Sequence, residues 1–96
     1  RSGPGYQAAK GGVINFTRGR AAELGEFGIT ANCISPGQII QPGRNPELEE
    51  RCRLNNPLER SGTPEDLKGA VALLASHAGD WITGHNLVVD GGWSIW

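Results

Sequence analysis

Gly28-Ile29-Thr30-Ala31-Asn32-Cys33-Ile34-Ser35-Pro36-Gly37 is the stretch on which the fold turns. Ile29 to Ile34 is a short β-rich run, and Ser35-Pro36-Gly37 stops it abruptly, which predicts a strand ending in a tight loop. Just before it, Ala9, Val13, Phe16, Ala21 and Leu24 recur near helical spacing and predict a helix from Tyr6 to about Gly25 with one buried stripe. Gly25 and Gly28 supply its C-cap and the turn. A helix, a short turn and a strand make half of a βαβ crossover. Ligands of open α/β sheets sit just outside the carboxyl ends of the strands, so a binding site is expected at Pro36-Gly37. A bare strand-ending turn is the alternative.

Downstream, Gln38 to Asn56 is polar and irregular, with a short helix expected from Pro46 to Leu54. Its Glu-rich first turn and the later Arg51 and Arg53 suit the helix dipole. The segment reads either as a lid over a site or as a solvated excursion. Pro57 to Gly62 is a connecting turn. Thr63-Pro64-Glu65-Asp66 is the sharpest helix start in the chain, with Thr63 as N-cap, Pro64 at N1 and Asp66 at N3 as in a capping box. Leu67, Ala70, Val71 and Leu74 form that helix's apolar face, and it ends near His77 and Gly79, where His77 would satisfy the last carbonyls. Asn86 to Val89 is a second strand, stopped by Asp90-Gly91-Gly92. Trp81, Trp93 and Trp96 flank it and would cover a core edge or a subunit contact.

Two short apolar strands fit a buried parallel sheet, which needs further strands beside them. The chain is therefore expected to be the later part of a larger α/β domain, or to draw its missing strands from elsewhere. Its 96 residues, 38% hydrophobic and 20% charged with net charge −1, contain no Lys/Arg cluster, which argues against nucleic acid as a partner. The longest apolar run, Ala70 to Ala75, is far too short to cross a bilayer, and no targeting segment is recognisable. Cys33 and Cys52 stand apart with no C-x-x-C and no His nearby. Two unpaired thiols suit a reducing, cytoplasmic setting rather than a disulfide or a metal site.

The chemistry lies in Tyr6-Gln7-Ala8-Ala9-Lys10. Residues i and i+4 of a helix share a face, so a phenol and an ammonium can point into one site. A fixed cation favours the phenolate and moves a pKa of ~10 toward the range useful for general acid–base work. A plain surface pair is the alternative. Gly3-Pro4-Gly5-Tyr6-Gln7-Ala8 formally matches a dinucleotide fingerprint but lacks the strand that must precede one. Gly11, Gly12 and Gly19 weaken the helix and suggest that a backbone, helix or ligand packs closely on it.

Five blocks in order carry a resemblance: Tyr6-x-x-x-Lys10, Gly28 to Gly37, Arg60-Ser61-Gly62-Thr63-Pro64-Glu65-Asp66, Leu74-Ala75-Ser76, and Ile82-Thr83-Gly84-His85-Asn86-Leu87-Val88-Val89-Asp90-Gly91-Gly92. Over essentially the whole chain they resemble the C-terminal part of the short-chain dehydrogenase/reductase family, gluconate dehydrogenase-like or 3-oxoacyl-acyl-carrier-protein reductase-like. The resemblance implies a doubly wound Rossmann domain of ~250 residues, with the dinucleotide-binding half and the catalytic Ser upstream of Arg1. It implies NAD- or NADP-dependent interconversion of an alcohol and a ketone, the choice of cofactor resting with upstream residues. Tyr6 would be the general acid–base, and Lys10 would tune it and bind the nicotinamide ribose. Pro36, Gly37 and the backbone of Ile39 would flank the nicotinamide. Gln41 stands where the family usually has Thr, and can still donate to the cofactor amide. Gln38 to Leu54 would be the substrate loop. Gln38, Arg44 and Asn45 are its candidate site residues, and the polar Arg44, Asn45, Arg51 and Asn55 favour a sugar acid, polyol or similar polar substrate, with a 3-oxoacyl-acyl-carrier-protein as the alternative. A homotetramer is implied, joined through the glycine-rich helix and the final strand. The competing class is an inactive piece that serves only as an assembly or interaction module.

Overall fold

The computed structural model describes residues 4–95, apart from the side chains of Pro4, Tyr6 and Gln7. The order is α1 (Pro4–Leu24), a 3₁₀ turn (Gly25–Phe27), β1 (Cys33–Pro36), α2 (Pro46–Asn55), α3 (Glu65–Ala75), a 3₁₀ turn (His77–Gly79), β2 (Asn86–Val89) and a last 3₁₀ turn (Trp93–Ile95). β1 and β2 pair in parallel, from Cys33 opposite Asn86 to Pro36 opposite Val89. This is the expected α/β order of helix, strand, loop with helix, helix and strand. Gly28 closes the first unit with φ 74°, a left-handed cap that glycine adopts without strain.

The first strand lies later than the sequence predicts, because residues 31 and 32 reach their neighbours through side chains. The Ala31 N–H donates to Thr83 Oγ1 (3.0 Å), and Asn32 donates to the Ile82 carbonyl (3.0 Å) and accepts from the His85 N–H (2.9 Å). The ladder begins only where the Cys33 N–H donates to the His85 carbonyl (2.9 Å), and it continues to the Gly37 N–H on the Val89 carbonyl (3.0 Å). Donors toward β2 thus come from alternate residues. Pro36 belongs to the other set, so its missing N–H costs the ladder nothing.

Little of the chain is buried: among the described residues only Ala21, Ile40 and Cys52 form an apolar core, and none of them is completely covered. The predicted stripe on α1 is buried only at its C-terminal end, since Val13 is 57% and Phe16 67% exposed. The cause is length. A helix of 21 residues runs about 31 Å, whereas a strand of four covers about 13 Å. The radius of gyration, 15.3 Å, exceeds the ~12–13 Å of a compact domain of this size. Nor does any described atom lie within 4 Å of a methyl placed on Gly11, Gly12 or Gly19. The close packing expected on these glycines is not made by the described residues.

Two local expectations also need correction. The α3 helix starts at Glu65 with Pro64 as N-cap, and only half of the predicted capping box forms: Asp66 reaches back to the Thr63 N–H (2.8 Å), while the Thr63 hydroxyl donates to the same carboxylate (3.2 Å). His77 does not satisfy helix carbonyls, but pairs with Asp80 through Nδ1 (3.1 Å) in the following turn. Trp81 is fully exposed and Trp93 37% exposed, so neither is buried in this chain's core; Trp96 lies outside the described residues. Among the described residues no helix is long and apolar enough to cross a membrane.

Candidate active site

Both strands end at one edge, where the chain ends are pressed together. A Cβ on Gly37 would lie 2.8 Å from Asp90 Cβ and 2.9 Å from its Cα, so glycine is what lets the two exits run side by side. Immediately beyond, Ile39 forms a parallel bridge with Gly62. The Gly62 N–H donates to the Gln38 carbonyl (2.8 Å), and the Ile40 N–H donates to the Gly62 carbonyl (2.9 Å). These two bonds flank Ile39, so in a parallel bridge its own N–H and C=O point away from Gly62. One donor and one acceptor thus stand together two residues past the Pro-Gly turn.

Gly62 is held from the first turn of α3. The Asp66 carboxylate accepts from Arg60 Nη1 (2.7 Å) and Nη2 (2.9 Å) and from the Thr63 N–H (2.8 Å). Those bonds, the guanidinium's first and the amide's second, hold the Asp66 carboxyl well below the usual carboxylate range. The backbone of Arg60 is fixed from the other side, its carbonyl accepting from Nδ2 of the buried Asn56 (2.8 Å). Asn56 in turn lies against Gly91, and Pro57 against Gly92, both glycines in the left-handed region at φ 65° and 91°. Asp90 caps that exit, accepting from the Gly92 and Ser94 amides (3.0 and 3.1 Å). The belt encloses a cleft of about 150 Å³ bordered by Gly37, Ile39, Asn56, Leu58 and Gly91.

The residues predicted for the site distribute as follows. Pro36 is the exposed last residue of β1, Gly37 and Ile39 are half-buried and Gln38 is exposed. Gln41 is exposed and forms a turn with Arg44, accepting from its N–H (3.1 Å) and from Nη1 (3.5 Å). Asn45 is the N-cap of α2, accepting from the Leu48 N–H at 3.2 Å. On that helix Cys52 is buried, and burial pushes its thiol up, with Glu49 adding to the effect. Lys10 is half-buried on α1, one turn beyond Tyr6, whose side chain lies outside the described residues. Among the described residues no group of His, Cys, Asp or Glu side chains could hold a metal ion.

Sequence reasoning missed Asn56, Gly62 as a bridge and the Arg60–Asp66 pair. The usable signal was the fixed spacing of Arg60 and Asp66 around a Gly and a Pro. As a sequence the stretch gives a turn, a helix cap and a block of the family resemblance, but not the ion pair.

Residues 2–94 match the family model described as enoyl-(acyl carrier protein) reductase. The chain is 37% identical over 98 residues to the D-arabinitol 2-dehydrogenase (ribulose-forming) of Scheffersomyces stipitis, covering 95% of this chain and 35% of that protein. It is 41% identical over 98 residues to the 3-oxoacyl-[acyl-carrier-protein] reductase of Chlamydia muridarum, covering 96% and 40%. A crystal structure of a short-chain dehydrogenase from Leptospira borgpetersenii with bound NAD+ superposes with a TM-score of 0.84 at 38% identity, over 93% of this chain and 35% of that one. The chain belongs to the short-chain dehydrogenase/reductase family. Its two parallel strands and flanking helices are part of the Rossmann-type sheet of that family, and it spans well under half the length of these relatives.

Proposed function

We propose that this chain supplies the proton-relay and nicotinamide-facing part of an NAD- or NADP-dependent oxidoreductase that interconverts an alcohol and a ketone. The observation that carries this is the Ile39 backbone pair. A carboxamide offers one donor set and one acceptor, and the Ile39 C=O and N–H turned away from Gly62 match it. The pair also stands at the carboxyl ends of parallel strands, where such ligands bind. When bound, the nicotinamide ring supplies hydride donor and acceptor chemistry. Pro36 and Gly37 flank it, and the Gln41 amide NH₂ is a further donor toward its carboxamide.

The proton half of the reaction belongs to α1. Ala21 meets Gly84 at the amino end of β2, where a Cβ on the glycine would be 3.5 Å from the Ala21 methyl. Lys10 lies about 16 Å back along the helix, and β1 with Gly37 rises about 13 Å. A helix lying back along its following strand would therefore carry position 10 to about the level of Pro36-Gly37, with position 6 one turn further out. Tyr6 exchanges a proton with the substrate oxygen, and Lys10 favours the phenolate and binds ribose hydroxyls. The relatives that act on a sugar alcohol and the polar Gln38, Arg44 and Asn45 support a sugar acid, polyol or similar substrate. A 3-oxoacyl-acyl-carrier-protein is the second reading, supported by the Chlamydia relative, and a substrate panel separates the two. The exposed Val13 and Phe16 of α1 and the Trp93 end suit subunit contacts in a homotetramer. Unpaired Cys33 and Cys52 suit the cytoplasm.

In the whole protein, Tyr6→Phe is expected to lower kcat by about 10²–10⁴-fold while leaving the affinity for the dinucleotide nearly unchanged. Steady-state kinetics with a cofactor-binding titration reads both. Full turnover by the variant removes Tyr6 from the mechanism.

A further inference from the structure

The donor and acceptor of Ile39 owe their direction to Gly62, and Gly62 owes its place to one carboxylate. A Cβ on Gly62 would lie 2.7 Å from Ile39 Cδ1 and 3.3 Å from the Gln38 carbonyl oxygen. The two backbones are therefore in direct contact, with no side chain of Gly62 between them to absorb a shift. Residues 59–63 form no regular element, and Glu59 enters them at φ 58°, a left-handed conformation that non-glycine residues seldom adopt. Their course is set by bonds to the anchored end of α3. Asp66 takes both Arg60 nitrogens and the Thr63 N–H, and Arg60 Nη1 also donates to the Ser61 carbonyl (3.0 Å). Each residue beside Gly62 is thus tied to Asp66, directly or through the guanidinium.

We propose that Asp66 is a positioning residue for the nicotinamide end of the cofactor, acting through Arg60, Thr63 and Gly62 on the Ile39 amide and carbonyl. This rests on the reading of Ile39 as the carboxamide's partner. It is more than a helix cap, and the two roles differ in what they affect. A cap contributes stability, about 1 kcal/mol in typical helices, and is indifferent to the ligand. A positioning residue acts on the nicotinamide half alone, where a misplacement near 1 Å costs on the order of 10²-fold in rate.

ADP-ribose separates the two, because it carries the adenosine and both phosphates but no nicotinamide. The experiment compares the whole wild-type protein with Asp66→Asn, titrating NADH and ADP-ribose, or NADPH and 2′-phospho-ADP-ribose if the wild type uses that cofactor. The expected result is affinity for the dihydronicotinamide dinucleotide weakened about tenfold, a lower kcat and an unchanged affinity for the ADP-ribose. If Asp66→Asn fails to fold, Arg60→Lys, which keeps the charge and loses the two-pronged bond, is expected to give the same split. Equal weakening of both ligands, or of neither, in the folded variant overturns the positioning role and leaves the functional reading standing. A wild-type protein that binds neither ligand overturns both.

Discussion

Glycines mark two different regions of this molecule. In the belt at the strand ends, a methyl on Gly37, Gly62 or Gly92 would meet another residue within 3.0 Å, and one on Gly91 would come into ordinary contact with Asn56. On the helices, Gly11, Gly12 and Gly19 of α1 and Gly69 of α3 have no described atom within 4 Å of such a methyl. The belt is closed by its own backbone: the β1 exit, the 56–63 segment and the β2 exit are stitched directly to one another. The helices lie loosely on a sheet of two strands, and α3 has no fully buried residue. The same residue type thus serves close approach in one place and leaves open surface in the other. A site that must hold a donor and acceptor in fixed directions is built in the first kind of region.

The contrast breaks most sharply at Gly37. Gly37→Ala puts a methyl into the Cβ and Cα of Asp90, a residue whose side-chain carboxylate also caps the last turn. The strand exits must separate, and overpacking of this kind costs about 1–3 kcal/mol. Thermal melting of the whole protein is expected to show a clear loss, with cofactor affinity falling too. An unchanged melting point shows that the two exits do not touch.

Acid probes the same belt through Asp66. Its folded-state carboxyl titrates below its unfolded value because Arg60 and the Thr63 amide favour the anion. A depressed pKa contributes stability above the unfolded value of ~3.9, and that contribution is lost as pH falls below it toward the folded value. The melting temperature is expected to drop as the pH falls from about 4 toward the folded-state value, and the drop should be smaller in Asp66→Asn. Equal slopes for the two proteins separate Asp66 from the acid limb. The pair is partly exposed, so added salt is expected to weaken the effect.

The belt was the part least visible in the sequence. The order of elements was legible because Gly28, Pro36-Gly37 and Pro64 are punctuation with local causes, as are the glutamates that open α2. The strand boundary was not, since Asn32 looks like any polar residue in a β-rich run until its amide is seen bridging Ile82 and His85. The buried stripe on α1 was predicted from periodicity and holds only at its C-terminal end, because burial needs a partner surface and periodicity cannot say whether one is present. Asn56 was invisible for a different reason. An Asn before Pro reads as a turn, and only the fold reveals that its side chain carries the Arg60 carbonyl. Spacing offered Tyr6 and Lys10 as a proton relay or as a plain surface pair, and only the resemblance favoured the first.

The smallest expected effect sharpens the other side of the contrast. Gly69 lies within α3, is exposed and has open space where a Cβ would go. If the outer face of α3 is solvent in the whole protein, Gly69→Ala obeys helix propensity alone and stabilises by about 0.5–1 kcal/mol, read as a small rise in melting temperature. A fall instead means that a segment or subunit not described here covers that face, because an added methyl is penalised only where something is already close. Gly37 and Gly69 then report opposite signs for the same change, the sign in each case set by what stands within a few ångströms of the α-carbon rather than by the glycine itself.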